Sequence, residues 1–381
     1  MRLARDLYII SLMFSLAFFL RGSNNIVITT FPLFVKHYFD FTTPQVGILA
    51  AFMSGSMFFA SGIVNPYLPQ IRKLLVRVFS ILYSVTLIST PFLNGATVWI
   101  ASVVVGFAAG IIFPNVISMS SEIGDRRIRE RAISLYTVAL SLSLVVGPYI
   151  EYLVLKAYPL KDVFLVFAPF GIAVSILSFY LKVPSSNQTK VSTKIVKSIP
   201  FILAVINNTS YDVPFAAITS FGGILEVSRG IPAGLVAVSF AVYFTTSFFS
   251  RLFMALKPVK RIFSLIFISL VIASVGLFSL SFSQTFSEFL ASMAILGIPH
   301  GLTYPVSLTV LSRGFSKDNI TSANSLFFSL MSIVAIITPI IVGGVSLFIG
   351  LAESFLALES LVIISIIAII ILKERASYLS S

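Results

Sequence analysis

Twelve apolar stretches, each long enough to cross a hydrocarbon layer of about 30 Å at about 1.5 Å per residue of helix, take up most of this chain. They run approximately over residues 7–31, 44–68, 76–93, 97–121, 132–155, 162–182, 199–226, 231–256, 262–283, 287–312, 324–350 and 353–372. With 57% hydrophobic and 10% charged residues, the chain has too little charge to cover a water-facing surface and more apolar side chain than a core needs. Lipid is therefore its expected solvent, and the expected fold is an all-α membrane protein of twelve transmembrane helices. Gly and Pro punctuate many of the stretches; helices in lipid tolerate them because neighbouring helices and local adjustments satisfy the freed backbone groups.

A net charge of +12 in a soluble protein would suggest nucleic acid, but the distribution of charge along these stretches points to a membrane. With the N-terminus placed in the cytoplasm, 21 of the 26 lysines and arginines fall on the inner side. Only Lys36, Lys156, Lys161 and Arg229 fall on the outer side, and Arg21 lies within a span. The positive-inside rule then puts both termini in the cytoplasm of a cell whose plasma membrane holds the protein. The expected partners are a lipid bilayer and a small-molecule substrate, with no nucleic acid. The apolar run from Leu7 to Leu20 behind Arg2 and Arg5 has the look of a signal peptide. No small-x-small cleavage site follows it, and it has a partner later in the chain, so it reads as a span. The absence of cysteine excludes a disulfide framework, thiolate chemistry and cysteine metal sites. No cofactor and no metal are implied.

The chain also repeats itself at an offset of 191 residues. Gly106, Gly110, Phe113 and Pro114 in GFAAGIIFPN stand opposite Gly297, Gly301, Tyr304 and Pro305 in GIPHGLTYPV. Ala132, Ser134 and Leu135 stand opposite Ala323, Ser325 and Leu326, Pro148 opposite Pro339, and Arg21 opposite Asp212. Two related halves with their costly residues at equivalent places are a common plan of membrane transporters. The expected organisation is two pseudo-symmetric six-helix bundles over residues 1–183 and 199–381. A polar linker, PSSNQTKVSTKIVKS at 184–198, joins them on the cytoplasmic side. Its Lys190, Lys194 and Lys197 suit either a solvated connector or a segment lying on the lipid surface.

On these residues the chain resembles the major facilitator superfamily along essentially its whole length. The twelve spans in two halves, the basic connector after the sixth, and the G-x-x-x-G-x-x-(aromatic)-P pattern in spans four and ten all agree. RERAISLY resembles the family's Arg-x-Arg-Ala segment, here Arg129, Arg131 and Ala132. SLVVGPYIEY is similar to the family's antiporter signature, but Ser143 replaces its first glycine, and Glu151 and Tyr152 replace its glycine pair. NPYLPQIRKLLVR and SRLFMALKPVKR keep the basic part of the family's gate motif in Arg72, Lys73, Arg77, Arg251, Lys260 and Arg261, and lack its acid. The resemblance implies a monomer in which spans one, four, seven and ten surround a central cavity. It also implies a cytoplasmic gate network, for which Glu122, Asp125, Arg129, Arg131, Arg72 and Arg251 are the candidates.

Arg21 and Asp212 share a depth, roughly 20 Å from the cytoplasmic face. A charge at that depth costs at least about 2.5–3.5 kcal/mol and usually pairs, faces the bundle interior or marks a pathway. The two residues are candidates for a contact that forms and breaks with gating, or for a permanent ion pair orienting the halves. Arg21 alone suits a bidentate grip on a carboxylate or phosphate, and Asp212 alone suits a proton carrier. Asn24 and Asn25 on span one, Asn115 on span four, Asn207, Asn208 and Tyr211 on span seven, and His300 with Tyr304 on span ten complete the substrate-site candidates. Asn208, Tyr211 and Asp212 share one helical face, as a binding surface or as interhelical hydrogen-bonding glue. His300 can relay protons or serve as a packing residue.

The chain has no H-E-x-x-H, no G-x-S-x-G and no G-x-x-x-x-G-K-(S/T), so protease, hydrolase and ATP-driven chemistry lack their parts. The expectation is a non-enzymatic secondary active transporter. It would move a small organic solute by alternating access, with protons as the coupling ion through Asp212 and His300. Arg21 favours an organic anion. A proton-driven multidrug or cation efflux pump, and a non-transporting receptor on the same fold, are the alternatives.

Overall fold

The computed structural model describes residues 2–65, 71–119, 123, 126–181, 195–256, 261–315 and 317–374. Twelve helical segments account for nearly all of them, and there is no strand among them. In chain order they are α1 (Arg2–Phe39), α2 (Thr43–Phe59, continuing as a π-helix over Ala60–Val64), α3 (Arg72–Ser89), α4 (Thr97–Ser118), α5 (Arg126–Leu155) and α6 (Asp162–Ser178). They continue with α7 (Ile199–Ala217, a π-helical turn Ile218–Gly222, then Gly223–Ser228), α8 (Ala233–Leu256), α9 (Ile262–Phe282), α10 (Phe286–Gly314), α11 (Lys317–Ile349) and α12 (Leu351–Lys373). Eleven of these are long and apolar enough to cross a membrane; α6 is apolar but only 17 residues long. Each apolar stretch of the sequence thus becomes one helix, because in lipid a helix satisfies its backbone groups internally. The chain is a multi-pass membrane protein.

Local chemistry sets where the helices start and turn. Thr285 caps α10, accepting from the Glu288 amide while the Glu288 carboxylate accepts from the Thr285 amide at 3.0 Å. Gly350, at φ 90°, makes the tight turn from α11 into α12 that a side chain would strain. Prolines sit inside α1, α4, α5, α6, α7, α10 and α11, the pairs Pro114 and Pro305, and Pro148 and Pro339, at repeat-equivalent places.

Two compact units form: Met1–Thr42 with Leu49–Gln188, and Thr43–Ile48 with Thr189–Ser381. Residues 182–194, most of the expected linker, lie outside the described residues. In the first unit α1 packs on α4, α5 and α6, and α3 packs on α4 and α6. In the second unit α7 packs on α10, α11 and α12, and α9 packs on α10 and α12. The sequence repeat is therefore a repeat of packing.

The repeated spacing of glycines in the two halves has a direct geometric cause. A Cβ on Gly106 would run into the Met53 carbonyl, and one on Gly110 into the Met57 carbonyl. In the second unit a Cβ on Gly297 would meet the Tyr243 carbonyl, and one on Gly301 the Ser247 carbonyl. Four-residue spacing puts both glycines of a pair on one helix face, so α4 and α10 each come within backbone contact of the helix beside them.

Candidate functional site

In the second unit that close crossing opens beside a cavity of about 160 Å³. From α7 it is lined by Asn208, Tyr211, Asp212 and Phe215, whose spacing of three and four residues aligns them along one helix face. Arg251 enters from α8, and His300, Thr303 and Tyr304 enter from α10. Asp212 and Arg251 are half-buried, each showing part of its side chain to the cavity.

Aromatic rings and hydrogen bonds fix this wall. The His300 ring stacks on Phe215 with centroids 4.4 Å apart and planes 24° apart, and its Nδ1 lies 2.8 Å from Ser247 Oγ. Tyr243, fully buried, stands 5.2 Å from the same ring. Tyr211 donates its hydroxyl to the Leu296 carbonyl, and its oxygen lies 3.0 Å from that of Tyr243. Asn208 donates to Met331 Sδ on α11. Imidazole, carboxylate and guanidinium are thus presented on a wall held from behind by three helices.

The cavity brings together Asn208, Tyr211, Asp212, His300 and Tyr304, all expected from the sequence. Asn207 does not line it. That side chain is fully buried and donates to the Thr303 carbonyl at 3.1 Å and to Ser307 Oγ at 2.8 Å, tying α7 to α10. Arg251, named among the gate-network candidates, also lines the cavity, more than a turn before the end of α8 at Leu256. Phe215 and Thr303 escaped the sequence reading, although helical spacing from Asp212 and His300 was the signal for both.

The described first-unit candidates stand on α1, α3, α4 and α5. Arg21 on α1 is half-buried and within electrostatic range of buried Tyr136 on α5. Asn24 and Asn25 are buried, and Asn25 Nδ2 has no hydrogen-bond partner among the described residues. Asn115 on α4 donates to Asn65 Oδ1 at 2.8 Å and to the Ile111 carbonyl at 2.7 Å. Arg72 in turn donates through Nε to the Asn65 carbonyl at 3.1 Å. The Asn65 backbone carbonyl thus anchors the Arg72 guanidinium. Of the other gate candidates, Glu122 and Asp125 lie outside the described residues. Arg129 and Arg131 lie on α5 with side chains that are not described.

Two buried carboxyl groups lie elsewhere. Glu151 on α5 accepts from Thr30 Oγ1 on α1 at 2.6 Å. Glu226, near the end of α7 and inaccessible, accepts from Ser239 Oγ on α8 at 2.8 Å, while its Oε1 has no partner. The sequence reading passed over Glu226.

Similarity to known proteins agrees with this architecture. No curated protein sequence matches the chain. The chain is similar in structure to a mutant of the nucleoside transporter NupG, with TM-score 0.76 and 14% identity, over 96% of this chain and 99% of that one. It is also similar to a bacterial homolog of the human lysosomal transporter Spinster. For the inward-facing, occupied form the TM-score is 0.69 and the identity 14%, over 99% of this chain and 96% of that one. The unoccupied form gives 0.67 and 13% over the same shares. At these identities the likeness speaks for the fold. The family model of the Major Facilitator Superfamily matches residues 13–339, and so the chain belongs to that superfamily and is a membrane transporter.

Proposed function

We propose that the protein is a secondary active transporter that moves a small organic solute bearing an anionic group across the plasma membrane, coupled to protons. The observation that carries this reading is the gathering of Asp212, Arg251 and His300 into one cavity of the second unit. Arg251 supplies a planar, permanently charged fork for a carboxylate or phosphate. Asp212 and His300 are the titratable groups in the same wall, and an exchangeable proton beside a bound solute is the minimum that coupling requires. Alternating access then presents the site to one side of the membrane at a time, by rocking of repeat-related bundles. The excess of basic residues on one side of the spans supports cytoplasmic termini.

The small size of the cavity argues against multidrug efflux, since sites for drug-sized ligands occupy about 300–1,000 Å³. The test is reconstitution of the purified chain in liposomes. Radiolabelled organic acids, amino acids and nucleosides are screened for counterflow, and then for accumulation driven by an imposed pH gradient. Counterflow without any response to the gradient removes proton coupling. A ligand that binds and never exchanges makes the protein a receptor on a transporter fold.

A further inference from the structure

The cavity of the second unit holds an acid and a base that are not joined to each other. Asp212 on α7 and Arg251 on α8 both line it, and no ion pair connects them among the described residues. A carboxylate and a guanidinium sharing a small space attract each other and gain by closing. Here both line the same cavity of about 160 Å³ without pairing.

A simple anion bound to Arg251 faces like charge from Asp212, and a simple cation bound to Asp212 faces like charge from Arg251. Either ligand leaves one wall charge repelled and desolvated, which is how sites reject wrong partners. A ligand with a charge of each sign satisfies both walls. Resting on the transport reading above, we infer that the solute is a small zwitterion of the amino-acid class. Its carboxylate lies in the fork of Arg251, its ammonium on the Asp212 carboxylate, and its body against the Phe215 ring. The Phe215–His300 stack gives that body a flat apolar surface, and the cavity has about half the volume at which drug-sized sites begin. With Asp212 engaged by the ammonium, His300 is the group left to carry the coupling proton. It faces Tyr211 and Asp212 from α7, Tyr243 and Arg251 from α8, and Tyr304 on its own helix.

The experiment is a thermal-shift titration of the purified full chain in detergent with the twenty protein amino acids and glycine betaine. Each stabilising compound is compared with its analogue lacking the amine and its analogue lacking the carboxylate. At least one zwitterion is expected to raise the melting temperature, and both truncated analogues to bind at least tenfold more weakly. Arg251→Gln is expected to abolish the preference over the amine, and Asp212→Asn the preference over the acid. Melting of the unliganded variants checks their folding, with Arg251→Lys and Asp212→Glu used where a first variant does not fold. Silence across all zwitterions, or an acid analogue binding as tightly as its parent, overturns the inference. An acid that binds alone and exchanges in liposomes sinks the zwitterion and leaves the transport reading standing. A zwitterion that binds with the expected variant pattern but shows no counterflow supports the site and removes the transport reading.

Discussion

At the scale of single residues, burial separates three carboxyl groups that make the same kind of contact. Thr30 Oγ1 donates to Glu151 at 2.6 Å, Ser239 Oγ to Glu226 at 2.8 Å, and Ser274 Oγ to Glu359 at 2.6 Å. Glu151 and Glu226 are 4% and 0% exposed, whereas Glu359 is half-buried. Removing a donor from a buried acceptor costs about 1–3 kcal/mol, because the acceptor keeps the desolvation penalty of burial. Thr30→Val and Ser239→Ala are therefore expected to lower the melting temperature clearly, and Ser274→Ala to leave it nearly unchanged, in thermal unfolding of detergent-solubilised protein. Equal shifts for all three would contradict the burial argument. The sequence made Glu151 visible through the signature that SLVVGPYIEY resembles, whereas Glu226 at the edge of its span reads as an ordinary solvated end. Burial of Glu226 comes from the packing of the last turns of α7 on α8, which sits beyond the reach of hydropathy.

At the scale of elements, the glycine pairs were legible and Arg251 was not, for different physical reasons. Small residues spaced by four advertise a close crossing whatever the partner helix is, and Gly297 and Gly301 lie against the Tyr243 and Ser247 carbonyls as that rule demands. Arg251 near the end of an apolar stretch reads as a cytoplasmic anchor, because hydropathy fixes the span but not which neighbouring helices share a cavity with that side chain. The crossing also carries the site, since Ser247 holds His300 Nδ1 across it. Gly301→Val is expected to force α8 and α10 apart, lowering the melting temperature and weakening ligand binding together. Gly55 in α2 and Gly344 in α11 have open space where a Cβ would go. Alanine there should be neutral or stabilising by up to about 1 kcal/mol, as helix propensity alone predicts. Parallel melting curves of the three variants test the difference between a glycine needed for approach and one that is merely tolerated.

At the scale of the whole molecule, the repeat reproduces packing but not chemistry. The helices of each unit meet in equivalent pairs, yet Arg21 in one half stands where Asp212 stands in the other, and Asn115 ties down Asn65 while His300 lines a cavity. In the transport reading proposed above, the polar residues of the second unit hold the solute and the proton. Coupling then requires that the proton-carrying group be separable from the groups that hold the solute. In the coupling proposed above, Arg251 and Asp212 hold the solute's charges, and His300, stacked on Phe215 and bonded to Ser247, is the proton carrier. His300→Gln keeps a planar polar group on α10 and removes the ring nitrogens that can take up and release a proton. In proteoliposomes this variant is expected to exchange internal for external solute at close to the wild-type rate while losing accumulation driven by a pH gradient. Wild-type accumulation should collapse on addition of a protonophore, and His300→Gln should be indifferent to it. Loss of exchange as well as accumulation would make His300 part of the solute site, and retention of gradient-driven accumulation would move the coupling proton to Asp212.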